Sequence, residues 1–184
     1  LETFGGTTAL VSVGDDFVIE HNVSLQNLDG LEALEQVGDS FSVLQNSALV
    51  DVNGLSALSS VYDTLEIYDN DLLDDLDGLS AFVGPVGTLT IEHNAELGDI
   101  GGLSALEGVR GDLSILSNDT LVDLDGFEAL QYVSGDLLIQ SNPSLAQIDG
   151  FEALDRVYQD LSIANNAALA RVGGFGALTE VSGG

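Results

Sequence analysis

The chain has 184 residues, and 31 acidic side chains against three Arg and no Lys give a formal net charge of −28. This imbalance excludes nucleic acid as a partner, because binding to phosphate groups requires Lys and Arg. The chain contains no Cys, which excludes disulfides, and no run of 18 apolar residues, so we expect no direct insertion into a membrane.

A single 24-residue pattern recurs from one end of the chain to the other. We number each copy, or coil, so that Leu25 is position 1 and Asn46 is position 22. Position 1 is Leu and position 6 is Gly in all eight coils, and position 4 is always apolar. Because the spacing never changes, residues 1–184 are predicted to form one repeat domain in which each coil contacts its neighbours.

Local structure within a coil follows from the spacing of its apolar residues. Positions 17 and 19, such as Leu137 and Ile139, alternate with other residues and predict a half-buried strand. Apolar position 4 between polar positions 3 and 5 predicts a second short strand. Positions 7, 9, 10 and 13 fit either a third strand or a tight helical turn. The Gly at position 6 predicts a bend that needs a positive φ or a close backbone approach.

Stacking of such coils would align like positions in columns and pair neighbouring strands in parallel, about 4.8 Å apart. The predicted fold is therefore all-β, a parallel β-solenoid of about eight coils, with the right-handed course that parallel crossovers favour. Neither end of the chain carries a polar cap, and Leu1 stands where a start Met would be. We therefore expect a longer protein, or ends that associate with other copies end to end.

The repeat also resembles a known family. The segment GDLLIQSNPSLAQIDGFEALDRV, residues 135–157, is similar to the leucine-rich-repeat-like solenoids of the receptor L-domain superfamily. The resemblance covers the whole chain, and the absence of Cys brings it nearer to bacterial surface and fungal cell-wall proteins than to hormone receptors. It implies a right-handed β-solenoid outside the cell, used for ligand recognition or for surface architecture.

The Asn at position 22 is the most regular polar feature. It forms a column of Asn22, Asn46, Asn70, Asn94, Asn118, Asn142 and Asn166. An inward Asn at a turn can bond to backbone groups and to the Asn amide of the next coil. We therefore interpret the column as a structural ladder rather than as a binding row.

Catalytic residues are not evident in the sequence. His21 and His93 share position 21 but lie three coils apart, about 14 Å along the rod, so they cannot hold one metal ion or act as a pair. An acid–base pair of carboxylates needs a cleft that separates two pKa values, and a rod of equivalent coils offers none. We therefore expect a protein that is not an enzyme.

Acidic residues form two columns that flank position 4 and should face outward. The candidate metal ligands are Asp51, Asp75, Asp99 and Asp123 at position 3 and Asp77 and Asp125 at position 5. One interpretation is a solvated face that keeps a repetitive β-protein from associating. The alternative is weak Ca²⁺ binding, because Ca²⁺ takes carboxylate oxygens as ligands. No other cofactor is expected.

These features favour a non-enzymatic extracellular or cell-surface scaffold, or adhesion module, that presents a repetitive face to a protein or a glycan. Two alternatives stay open at this point. One is a structural subunit that assembles end to end into a filament or surface layer. The other is an acidic, cation-binding surface protein.

Overall fold

The computed structural model describes residues 1–183 and consists of parallel β-structure wound into a solenoid of about seven coils of about 24 residues. The predicted all-β parallel solenoid is therefore confirmed. The repeat fixes the register, since paired strands are offset by one 24-residue copy; Leu113, for example, pairs with both Leu89 and Leu137.

The largest sheet, which we call the main sheet, takes one strand from each of seven coils. Its strands are Phe17–Glu20, Phe41–Leu44, Thr64–Tyr68, Thr88–Glu92, Leu113–Leu116, Leu137–Gln140 and Leu161–Ala164. Positions 17 and 19 point into the core, as the alternating pattern predicts, and positions 18 and 20 point outward.

A second face is built from two-residue strands at positions 12 and 13. One sheet contains Ser12–Val13, Gln36–Val37 and Ser60–Val61, and another contains Gly108–Val109, Tyr132–Val133, Arg156–Val157 and Glu180–Val181. The fourth coil, which begins at Leu73, interrupts them. It carries Pro85 at position 13, and Pro has no N–H to donate to a ladder. Val86 is buried in its place and bridges to Val109.

The segment around position 4 differs from the prediction. Only Gln147–Ile148 and Arg171–Val172 pair there as strands, and elsewhere a single bridge joins Asp75 to Asp99. Three coils instead form 3-10 helices at positions 5 to 7: Asn53–Leu55, Asp77–Leu79 and Gly101–Leu103. For positions 7 to 13 the sequence fitted either a third strand or a tight helical turn. The structure has both in succession, a tight turn followed by a short strand. Among residues 1–183, the helices are single turns too short and insufficiently apolar to cross a membrane.

The core is a set of stacked columns. Positions 1, 4, 7, 10, 13, 17 and 19 are buried through the central coils, with Val86 replacing Pro85. Identical residues stack directly, so the rings of Phe127 and Phe151 lie 5.2 Å apart and nearly parallel. Each buried Leu or Phe contributes roughly 1.5–3 kcal/mol through loss of water contact.

Two columns of residues, at positions 6 and 21, lie where the chain turns. At position 6, only Gly30 has a positive φ, so the bend at the other copies does not need one. Gly is required there mainly because the preceding coil is too close: a Cβ on Gly54 would lie 2.0 Å from the Leu28 carbonyl oxygen. The left-handed residues occur instead at position 21, where φ is 54–58° in all seven coils and no residue is Gly. His, Gln, Asp, Ser and Asn fill that column.

Candidate functional site

The Asn column points inward and forms a continuous hydrogen-bonded ladder. The Asn94 side-chain amide donates to the carbonyl oxygen of Ile67 at 3.0 Å and of Glu92 at 3.1 Å. Its Oδ1 accepts from the backbone N–H of Asn70 at 3.1 Å and from the Asn70 amide at 3.2 Å. The five central members, from Asn46 to Asn142, have no exposed surface. The ladder therefore satisfies the buried turns, and its five central members offer no amide to a ligand.

The acidic column at position 3 has a structural role that the sequence analysis did not anticipate. The Asp51 carboxylate accepts the backbone N–H of Asn53 at 3.0 Å, and that of Asp75 accepts the N–H of Asp77 at 2.9 Å. Asp99 does the same with Gly101 at 2.7 Å. These side chains stabilise the turn that follows, as Asp and Asn commonly do.

The acidic columns contain the candidate metal ligands. Within residues 1–183, no three His, Cys, Asp or Glu side chains are grouped so that they could hold a metal ion. Asp77 and Asp125 are exposed, while Asp51, Asp75 and Asp123 are half-buried. Weak Ca²⁺ binding on this side of the rod stays a prediction.

Partial loss of hydration and repulsion among the acids both act on Asp125. The side chain is exposed overall, but its partial burial is the first cause that raises its pKa above the usual range, and the charges of Asp123, Asp149, Glu152 and Asp99 raise the pKa further. A raised pKa means that the ionised carboxylate destabilises the folded state relative to the unfolded chain. Protonated Asp125 therefore stabilises the folded protein in acid. This contribution is lost as the pH rises through the pKa of Asp125 in the folded state.

Replacing Asp125 by Asn should therefore stabilise the protein at pH 7, because Asn removes the charge and keeps the shape. We expect the melting midpoint to rise by about 2 °C and the difference to vanish below about pH 3, where Asp is mostly protonated in both states. Glu32 is the matched control. Its pKa is lowered, first by the Gly30 N–H that its carboxylate accepts, so Glu32→Gln should lower the midpoint at pH 7. Equal midpoints for Asp125→Asn and wild type at pH 7 would contradict this account.

The two histidines lie apart, as the repeat requires. His93 lies 3.3 Å from the Glu92 carboxylate and packs edge-on against Tyr68, with ring centroids 5.6 Å apart. Both His21 and His93 are exposed members of the left-handed column at position 21. Neither is part of a catalytic arrangement with the other.

The feature that the sequence analysis missed is a surface on the second face, which we call the Tyr/Arg surface. It consists of Tyr62, Arg110, Tyr132, Arg156 and Tyr158, at positions 12 and 14. Outside the fourth coil, where Val86 turns inward, both positions flank inward position 13 and point outward. Three of the four Tyr and two of the three Arg of the chain lie here. Tyr62 is 66% exposed and Tyr158 is 47% exposed.

One half of the Tyr/Arg surface, Tyr62 and Arg110, lies on either side of the fourth coil, where Pro85 interrupts the second face. The Arg110 side chain reaches back across that coil, where its guanidinium carbon lies 4.8 Å from the centre of the Tyr62 ring. The guanidinium also donates a hydrogen bond to the Tyr62 carbonyl oxygen. This contact holds the ring beside a groove of about 440 Å³ that runs past Gly14, Gly38 and Gly84.

The other half lies two coils further along the rod. Tyr132, Arg156 and Tyr158 line a shallower recess of about 280 Å³ together with Asp155. A hydrogen bond with the Tyr158 side chain is the main reason that the pKa of Arg156 is raised. The charge of the Asp155 carboxylate raises this pKa further. Arg156 Nε lies 3.4 Å from the Asp155 carboxylate and 3.8 Å from that of Glu180.

The sequence does contain the signal for this surface. Positions that repeat build the fold, so residues that break the repeat are free to serve another purpose. Position 14 contains Gly, Tyr, Val, Arg and Ser, and its Tyr and Arg residues stand out in a chain so poor in both. Their grouping becomes visible only when the strands assign positions 12 and 14 to one side of the rod.

Comparisons with protein-family models, with curated proteins and with solved structures find no match to this chain. The parallel β-solenoid is therefore established from the chain's own structure, while the similarity to receptor L domains remains an interpretation of its sequence.

Proposed function

We propose that this chain is a non-enzymatic recognition module of the cell surface, related to the receptor L-domain solenoids, and that it binds a partner protein or glycan through the Tyr/Arg surface. The observation that supports this function is the collection of three Tyr and two Arg on one side of an otherwise acidic rod. Tyr and Arg are the residues most enriched, with Trp, among those that carry binding energy at interfaces.

The Tyr/Arg surface is not needed to build the solenoid. Tyr62 and Tyr158 leave much of their area exposed, whereas the core columns of the central coils are closed to solvent. At positions 12 and 14 other coils have Ser, Gln, Glu, Gly or Val, so the fold accepts many residues there. A large exposed aromatic at such a position favours binding over packing.

The rigidity of the scaffold suits recognition. The five surface residues extend over four coil intervals, or about 19 Å, and each projects from or beside a strand of the second face. A preformed array loses little conformational freedom on binding, which favours affinity. The acidic charge elsewhere keeps neighbouring rods apart and discourages acidic partners.

The test compares two double variants of equal composition. Arg156→Ser with Tyr158→Ser removes part of the Tyr/Arg surface, and Tyr68→Ser with Arg171→Ser removes the Tyr and the Arg that lie outside it. We expect the first to weaken binding of the purified chain to intact cells of its source by at least about 30-fold, the loss of one strong interface residue. The second should bind like wild type.

Equal binding by both double variants would exclude the half of the Tyr/Arg surface around Arg156 and Tyr158 as the contact site, and the same loss is then expected from Tyr62→Ser with Arg110→Ser; equal binding by that variant as well would exclude the whole surface. Treatment of the cells with protease or with periodate before binding then separates a protein partner from a glycan partner. Loss of binding after one treatment identifies the class of partner.

A further inference from the structure

We propose that the groove beside Tyr62 binds a neutral glycan. This inference rests on the proposed recognition function and specifies its ligand class. The groove runs along the second face from Gly14 in the first coil to Tyr62 in the third and is bounded by Arg110. We call it the Gly14–Tyr62 groove.

The fourth coil leaves one side of the groove open. Gly84 occupies position 12 there, beside Ser60, and a Cβ on it would come no closer than 3.6 Å to its surroundings. Its φ is not positive. Gly38 is different, because its Cβ would lie 2.2 Å from the carbonyl oxygen of Gly14 in the preceding coil. Gly84 therefore leaves space that a ligand can fill.

The end wall supplies an aromatic ring of fixed orientation. Arg110 lies over Tyr62 and also bonds to its carbonyl oxygen, so the two side chains hold each other in place. Tyr62 nevertheless stays 66% exposed, which leaves most of the ring available for contact. Sugar rings present a flat patch of C–H groups that packs against such a ring.

The side of the groove supplies polar groups at regular spacing. Ser12, Gln36 and Ser60 occupy position 12 of three consecutive coils, about 4.8 Å apart. The two Ser hydroxyls and the Gln amide can each donate and accept hydrogen bonds. A row of this kind matches the hydroxyl groups along the edge of a short glycan chain.

The charge decides which glycan fits. The chain carries a net charge of −28, and Asp15, Asp39 and Asp63 follow directly after the groove residues at position 15. Arg110 is the single cation among the groove residues. An anionic sugar would be repelled by these carboxylates, so a neutral glycan is favoured.

A proline-rich peptide is the other extended ligand that aromatic grooves accept. Recognition of such peptides relies on grooves lined by aromatic residues. The Gly14–Tyr62 groove contains one aromatic ring and several hydroxyl and amide groups, which favours the glycan.

The experiment measures binding of the full chain to neutral oligosaccharides, namely oligomers of glucose, mannose and N-acetylglucosamine, with oligogalacturonate and a decaproline peptide as further probes. At least one neutral oligomer should bind. Gly84→Leu should weaken that binding at least tenfold by filling the groove, and Tyr62→Ala should weaken it to a similar extent. Gly98→Leu is the matched control, since a Cβ there is also unobstructed and Gly98 does not line the groove.

The melting midpoint of Gly84→Leu should equal that of wild type, which shows that any loss of binding is not a loss of fold. Failure of every neutral oligomer to bind at millimolar concentration would overturn the inference. So would binding that Gly84→Leu leaves unchanged, stronger binding of oligogalacturonate, or binding of decaproline alone. If the Arg156 and Tyr158 double variant still loses cell binding in those cases, the proposed function stands and only its glycan ligand is wrong.

Discussion

Replacing Asn94 by Ala should lower the free energy of unfolding by about 3–5 kcal/mol, because several buried hydrogen bonds are lost at once. The Asn94 amide donates to the carbonyl oxygens of Ile67 and Glu92, and its Oδ1 accepts the backbone N–H of Asn70. That N–H would be left buried without its partner, since position 22 is closed to solvent in the central coils. Denaturant unfolding followed by circular dichroism measures the loss.

Asn22 provides the control within the same column. It donates to the Glu20 carbonyl oxygen and to Asn46 Oδ1, but its own Oδ1 accepts no hydrogen bond from residues 1–183. It is only half-buried. Asn22→Ala should therefore lower the free energy of unfolding by about 1 kcal/mol, the value of an ordinary hydrogen bond. Similar losses for Asn22→Ala and Asn94→Ala would show that the ladder is not what stabilises the turns.

Gly126→Val should be similarly damaging, with a loss of about 3 kcal/mol or more in the free energy of unfolding. A Cβ on Gly126 would lie 2.2 Å from the carbonyl oxygen of Ile100 and 2.9 Å from its carbonyl carbon. Both are backbone atoms of the preceding coil, so relief requires the two coils to move apart. The same unfolding experiment measures the effect.

Gly98→Val tests whether crowding is the cause. A Cβ on Gly98 meets nothing within 4 Å, and other coils carry Val at the same position, as at Val50 and Val122. This variant should change the free energy of unfolding by less than about 0.5 kcal/mol. A Gly126→Val protein as stable as Gly98→Val would disprove the close approach at position 6.

Several contacts could not be predicted because they depend on atoms one or two coils away. The invariant Gly at position 6 indicated either a positive φ or a close approach, and only the path of the preceding coil selects the second. The left-handed column at position 21 contains no Gly, so the strongest sequence signal of a positive φ is missing there. The carboxylates at position 3 suggested a solvated face or ion binding, and their spacing did not show that Asp75 and Asp99 also accept N–H groups of the following turn.

The sequence by itself determined the coil length, the strand register, the core columns and the place of the Asn ladder. A strict 24-residue repeat can do this because stacking puts each residue beside its own counterpart, so one coil specifies all of its contacts. The tertiary structure alone decided how Val86 replaces Pro85 in the core and how Arg110 crosses the fourth coil to reach Tyr62. These contacts arise where the repeat is broken, and there the position of a residue depends on how the chain relaxes around the break rather than on its counterparts.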